Sequence, residues 1–221
     1  MNEEPLTLNE SDVKTAIESG DAALLADLLA HDPALANHQI QWGKTCEIST
    51  HPLHYVSDML FGGILQKGKE LPLIDVLINA GADCNYQASN GETPLIGAAS
   101  LNAEDVGLRL LDAGALPDTT GAFKETALHW ASNLGLKTLV TRLIEKGADV
   151  NRKDARFHSS PLGWALHGRF HGTPGAGANH HEVAALLVAS GAIVEPQWLA
   201  DEQVRSDSRM ISVLRGFFSP Q

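Results

Sequence analysis

Ten histidines in 221 residues are the first chemical feature of this chain. His167 and His171 stand four apart, so on one continuous helix they share a face, as metal ligands can. His180-His181-Glu182 closes the same stretch, and neutral imidazoles around one ion suit several transition metals. Against a metal site, Gly168 and Gly172 are expected to break the helix, and no cysteine lies near. The simpler expectation is that His180 and His181 precede a helix, with Glu182 favourable near its N-terminus. Gly172-Thr173-Pro174-Gly175-Ala176-Gly177 has the glycine density of a phosphate loop. It lacks a Gly-Lys-Ser/Thr ending and a preceding buried strand, so it reads as a flexible loop. Cys46 and His51, five residues apart, form a weak nucleophile pair, and no Gly-x-Ser-x-Gly elbow occurs. The expectation is no enzyme, no cofactor and no bound metal. A small-molecule or metal site in the His/Gly-rich stretch 167–182 is the alternative.

The elements that must position these groups come in copies. Thr93-Pro94-Leu95-Ile96-Gly97-Ala98-Ala99 recurs as Thr126-Ala127-Leu128-His129-Trp130-Ala131-Ser132, as Ser160-Pro161-Leu162-Gly163-Trp164-Ala165-Leu166, and as His51-Pro52-Leu53-His54-Tyr55-Val56-Ser57. A second phrase punctuates them: Gly81-Ala82-Asp83, Gly114-Ala115-Leu116, Gly147-Ala148-Asp149 and Gly191-Ala192-Ile193. Leu95 to Leu128 is 33 residues and Leu128 to Leu162 is 34. Helix physics explains the words. Thr or Ser caps a first helix and Pro suits its first position. Small residues then let neighbouring helices approach. Leu136, Leu139, Val140, Leu143 and Ile144 form the stripe of a second helix, which Gly147 ends.

Composition sets further bounds. The apolar share is 43% and the net charge −11, with nine acids against two bases in residues 1–50 and six against seven in residues 151–221. An acidic chain repels phosphate backbones, so nucleic-acid binding is disfavoured. Two isolated cysteines, Cys46 and Cys84, are neither a disulfide framework nor a zinc site. The start lacks an apolar h-region and no apolar run reaches about 18 residues, so a cytoplasmic protein without membrane contact is expected.

A repeat of this length with these words resembles the ankyrin repeat. The resemblance implies an all-α-dominated solenoid of stacked helix-turn-helix units with short β-hairpin fingers. One domain would fill residues 1–221. It would comprise an N-terminal cap repeat at 8–40, a repeat with an insert at 41–84, repeats at 85–117 and 118–150, a repeat with an insert at 151–194, and a C-terminal cap at 195–221. In that cap, Trp198, Leu199 and Val204 would share one helix, and Ile211, Val213, Leu214 and Phe217 another. The inserts fall around 61–70 and 169–181, since Leu53 to Leu95 is 42 residues and Gly147 to Gly191 is 44.

The resemblance also implies a non-catalytic scaffold, expected as a monomer, that binds a protein on its concave face through finger tips and first helices. Carried across, the finger column is Thr50, Glu92, Glu125 and Ser159. The first-helix column, five places after the repeated Leu, is Asp58, Ser100, Asn133 and His167. The tips add Arg156 and the anchor candidates Phe123 and Phe157, unless each Phe tucks under the next finger. Such a groove is acidic at Asp58, Glu92 and Glu125. It turns basic and aromatic at Arg152, Lys153, Arg156 and Phe157, so a partner of mixed charge is expected. Trp130 and Trp164, two places after the Leu, are read as core. His54 and His129 are read as structural, bonding backbone groups between fingers.

Overall fold

A computed structural model describes residues 9–43, 48–172 and 179–216 of the chain. Thr45 and Cys46, residues 173–178 and Phe217 lie outside the described residues. The helices pair as the copies demand. α1 (Glu10–Ser19) and α2 (Ala22–His31) form the first pair, followed by a 3-10 turn at Pro33–Ala36. Strands β1 (Ile40–Trp42) and β2 (Ile48–Thr50) pair antiparallel. The next pairs are α3 (Pro52–Phe61) with α4 (Glu70–Asn79), α5 (Pro94–Ser100) with α6 (Glu104–Asp112), α7 (Ala127–Leu134) with α8 (Lys137–Glu145), and α9 (Pro161–His171) with α10 (His180–Ala189). Three short helices close the described chain: α11 (Pro196–Ala200), α12 (Glu202–Ser206) and α13 (Ser208–Leu214). First helices pack on first helices and second on second, giving two layers around one continuous apolar core.

Local chemistry fixes each element. Thr93 accepts the Ile96 amide at 3.3 Å to cap α5, and Pro94 follows as the first helical residue. The imidazole of His51 takes the same role for α3, accepting the Leu53 amide at 3.3 Å. Second helices end on glycines in the left-handed region, Gly81 at φ 87° and Gly147 at φ 89°.

Adjacent units are stitched by Asn and Asp side chains. Asn37 donates to the Gly81 carbonyl (3.0 Å) and accepts the Asp83 amide (2.7 Å). Asn151 does the same to Gly191 (3.0 Å) and Ile193 (2.8 Å). Asn85 accepts the Leu116 amide, and Asp118 accepts that of Asp149. On the second-helix layer, Arg109 pairs with Asp75 and Arg142 with Asp112. These pairs are exposed and contribute little.

Four sequence expectations change. Gly168 does not break α9, which runs to His171, so the fifth-unit insert begins as extra helix. The hairpin ladder expected at every finger is confined, among the described residues, to β1 and β2. The later fingers close on turn bonds instead, Ala88 N–H to Glu92, Gly121 N–H to Glu125 and Asp154 N–H to Ser159. Trp198 and Leu199 lie on α11 and Val204 on α12, because Asp201 ends one helix and its carboxylate caps the next. Trp130 and Trp164 are half-buried rather than core.

Gly168 has a packing role. A Cβ there would stand 1.9 Å from the Asn133 carbonyl oxygen and 2.7 Å from Nε2 of buried His180. Only glycine lets α9 cross α7 this closely. Gly168→Ala is expected to destabilise by about 1–3 kcal/mol, toward the upper end because the obstructing atom is backbone. A urea midpoint unchanged by the substitution would contradict this crossing.

Candidate functional site

The finger tips and first helices of the fourth and fifth units enclose a cavity of about 520 Å³, lined by Phe123, Trp130, Asn133, Arg156, Trp164 and His167 among others. Trp130 and Trp164 meet edge to face with centroids 5.0 Å apart, and Phe157 meets Trp164 edge-on at 6.0 Å. The guanidinium of Arg156 lies 5.5 Å from the Phe123 ring centre and 5.2 Å from that of Phe157. Phe123 is 51% exposed and Phe157 62%, so neither tucks under a neighbouring finger.

The fifth finger is held by one buried carboxylate. Asp154 accepts the amides of Arg156 (2.8 Å), Phe157 (2.6 Å) and Ser159 (3.1 Å), and the indole N–H of Trp164 (3.1 Å). Burial alone would raise its pKa, but these donors, Phe157's amide foremost, hold the carboxyl below the usual range. Phe157 and Trp164 are thus fixed by the same anion. His129, fully buried, does the equivalent for the fourth finger. Its Nδ1 accepts the Thr126 amide (3.1 Å), and Nε2 lies 3.2 Å from the Ser159 carbonyl across the joint. Burial lowers the pKa of His129. His54 is also buried, at 6% exposed.

Tip geometry follows a rule visible only when the copies are aligned. Gly91, Lys124 and His158 each stand two places before the capping Thr or Ser, with φ of 80°, 60° and 52°. In the fourth and fifth units non-glycine residues accept that left-handed conformation, at a modest cost. Phe123 and Phe157 immediately precede these turns, and Glu125 and Ser159 follow them.

Of the expected site residues, Phe123, Glu125, Asn133, Arg156, Phe157 and His167 come together around this cavity. Asp58, Glu92 and Ser100 do not line it and belong to earlier units. Ser100 donates to the Gly97 carbonyl within its own helix. Burial pushes Asp58 up to about 6, with Glu92 adding to the shift. Burial also raises Glu92. Its bond from Asn90 opposes this, and Glu125 adds to it. These carboxylates feel one another along the row.

Two side chains lining the cavity, Trp130 and Trp164, read as core in the sequence. The signal for their true position was present. Each stands three residues before a groove residue, Asn133 or His167, and residues three apart share a helix face. The basic end of the groove is also smaller than expected. Arg152 lies 3.9 Å from Asp118, and Lys153 pairs with Glu195 at 2.6 Å.

The four candidate ligand histidines of the fifth unit, His167, His171, His180 and His181, do not converge. The rings of His167 and His171 are 5.1 Å apart on α9. His180 Nε2 bonds the Asn133 carbonyl at 2.9 Å, and His181 Nε2 bonds Asp207, which also pairs with Arg169. Among the described residues no group of three or more His, Cys, Asp or Glu side chains could hold a metal ion. No helix among them is long and apolar enough to cross a membrane.

Comparison with known proteins agrees with this architecture. A family model described as ankyrin repeats, three copies, matches residues 64–154. Neurogenic locus notch homolog protein 2 of Homo sapiens is 27% identical over 184 residues, which is 82% of this chain and 6% of that protein. E3 ubiquitin-protein ligase KEG of Arabidopsis thaliana is 34% identical over 90 residues, 40% of this chain and 5% of that protein. Neurogenic locus notch homolog protein 1 of Xenopus laevis is 27% identical over 176 residues, or 79% of this chain. The chain therefore spans only about a twentieth of these relatives. The repeated phrase, the two layers of paired helices, the finger turns and the family match agree: residues 64–154 match ankyrin repeats, and the chain has the fold of an ankyrin-repeat solenoid.

Proposed function

We propose that this chain is a non-catalytic scaffold that holds a protein partner along the face built from its finger tips and first helices. Ankyrin repeats are protein-interaction modules, and a family model of them matches residues 64–154. The observation that carries the assignment to this face is the aromatic cavity of about 520 Å³ between the fourth and fifth fingers. Large aromatic side chains left half or more exposed are what an interface centre uses. Here they are fixed in place by Asp154 and Arg156 before any partner arrives, which lowers the ordering cost of association.

The test is a photo-crosslinking residue placed at Asn133, on this face, and separately at exposed Thr138 on α8 of the other layer. In lysate of the source organism, a protein adduct is expected from position 133 and not from 138. Adducts formed equally from both, or only from 138, would move binding to the other face.

A further inference from the structure

We propose that the partner meets this groove with a basic segment. One large apolar side chain seats among Phe123, Trp130, Phe157 and Trp164, and Lys or Arg side chains extend from it over Glu125, Glu92 and Asp58. The proposal rests on the groove reading above and names what fills it.

Charge pairing within the chain supplies the argument. Arg152 and Lys153, whose sequence positions suggested a basic end, are engaged by Asp118 and Glu195. The carboxylates of the groove are not engaged in this way. Among the described residues no ion pair involves Asp58, Glu92 or Glu125. Glu125 accepts the Phe123 amide at 2.8 Å, and Glu92 accepts Asn90 Nδ2 at 3.2 Å, so each is oriented by its own finger and keeps its charge uncompensated. All three side chains are partly withdrawn from solvent. A partly dehydrated anion without a counter-ion gains more from an incoming cation than a fully solvated one does.

Arg156 gives the segment a direction. Its guanidinium covers Phe123 and Phe157 at the fifth finger, so that rim repels a second cation. The bases of the partner are steered the other way, toward the third and second units. Spacing follows from geometry. Packed helices stand about 8–10 Å apart, and an extended chain rises about 3.3 Å per residue. About one residue in three therefore lies over each repeat. The fitting pattern is a large apolar residue with Lys or Arg about three and six positions away on one side.

A random twelve-residue peptide library displayed on phage, selected against the full chain, reads this directly. Selected sequences are expected to carry the apolar anchor with bases at those intervals. A synthetic copy of the most enriched peptide should bind about tenfold or more weakly to the double variant Glu92→Lys/Glu125→Lys, and more weakly as salt rises from about 50 to about 500 mM. Glu92→Gln/Glu125→Gln, which removes charge at nearly constant shape, must move affinity in the same direction. Peptides that need Trp130 but carry no bases, carry acids, or ignore the charge changes would overturn the basic segment and leave the groove standing. A selection that yields nothing, or only peptides indifferent to both Trp130→Ala and the charge changes, would remove the groove reading as well.

Discussion

Unfolding free energy is expected to fall by several kcal/mol as pH drops from 7 to about 4, driven by buried imidazoles. His51 and His54 are 1% and 6% exposed, and burial lowers both from 6.5 to about 4; Asp83 opposes the shift at His51, and His51 adds to that at His54. A lowered base is neutral in the fold and protonates more readily in the unfolded chain. Its contribution is complete above 6.5 and is lost progressively as pH falls through the window from 6.5 to about 4. At about 1.4 kcal/mol per unit, each imidazole accounts for about 3 kcal/mol by pH 4. His129 is lowered in the same sense.

The structure gives the reason in bonds. Nδ1 of His51 accepts the Leu53 amide, and Nε2 lies 3.1 Å from Asn37 Oδ1. Asn37 in turn bridges to Gly81 and Asp83. A proton on Nδ1 would remove the cap of α3 and disturb a stitch between units. Asp58 works against the trend. Its raised carboxyl disfavours the charged form in the fold, a cost present above about 6 and relieved as pH falls toward 3.8, returning about 2–3 kcal/mol. The imidazoles outweigh it. Urea melts at pH 7 and pH 4.5 check the total. Ring-proton shifts of His51 and His54 should stay flat from pH 8 to 5. Movement of either through that range, or a stability independent of pH, would refute the account.

Trp130→Ala is expected to weaken partner binding by about 30-fold to 1000-fold, the 2–4 kcal/mol typical of a central aromatic anchor. Its ring packs edge-on against Trp164 at 5.0 Å and lines the cavity floor. The stability loss should be smaller, about 1–2 kcal/mol, because the side chain is half-buried and the aromatic contact adds only about 0.5–1.5 kcal/mol. The two effects separate in a titration of the selected peptide against variant protein shown by circular dichroism to be folded. An affinity within about threefold of the native chain would show that the cavity is not the anchor site.

Much of this architecture is written in the chain. The step of 33 residues, the Thr-Pro-Leu phrase and the Gly-Ala phrase determine helix pairs, their caps and their stacking, because these are local rules repeated in register. The stack follows because no single unit can bury its apolar stripe alone. The finger and first-helix columns and the finger tips name eleven residues, of which seven, Ser159 among them, line one cavity.

What the sequence left open depended on directions and distances between units. The facing of Trp130 and Trp164 is set by helix period together with the angle at which α7 meets α9. That angle in turn needs Gly168 against the Asn133 carbonyl. Likewise, Arg152 and Lys153 read as free bases until Asp118 and Glu195 are found beside them, 34 and 42 residues away in the chain. The alternative of His180 and His181 as ligands beside His167 stays open in the sequence until Asn133 and Asp207 are found bonded to them. Local chemistry repeats with the sequence and is read from it. Pairing across the stack depends on where neighbouring units place their side chains, and only the tertiary structure decides that.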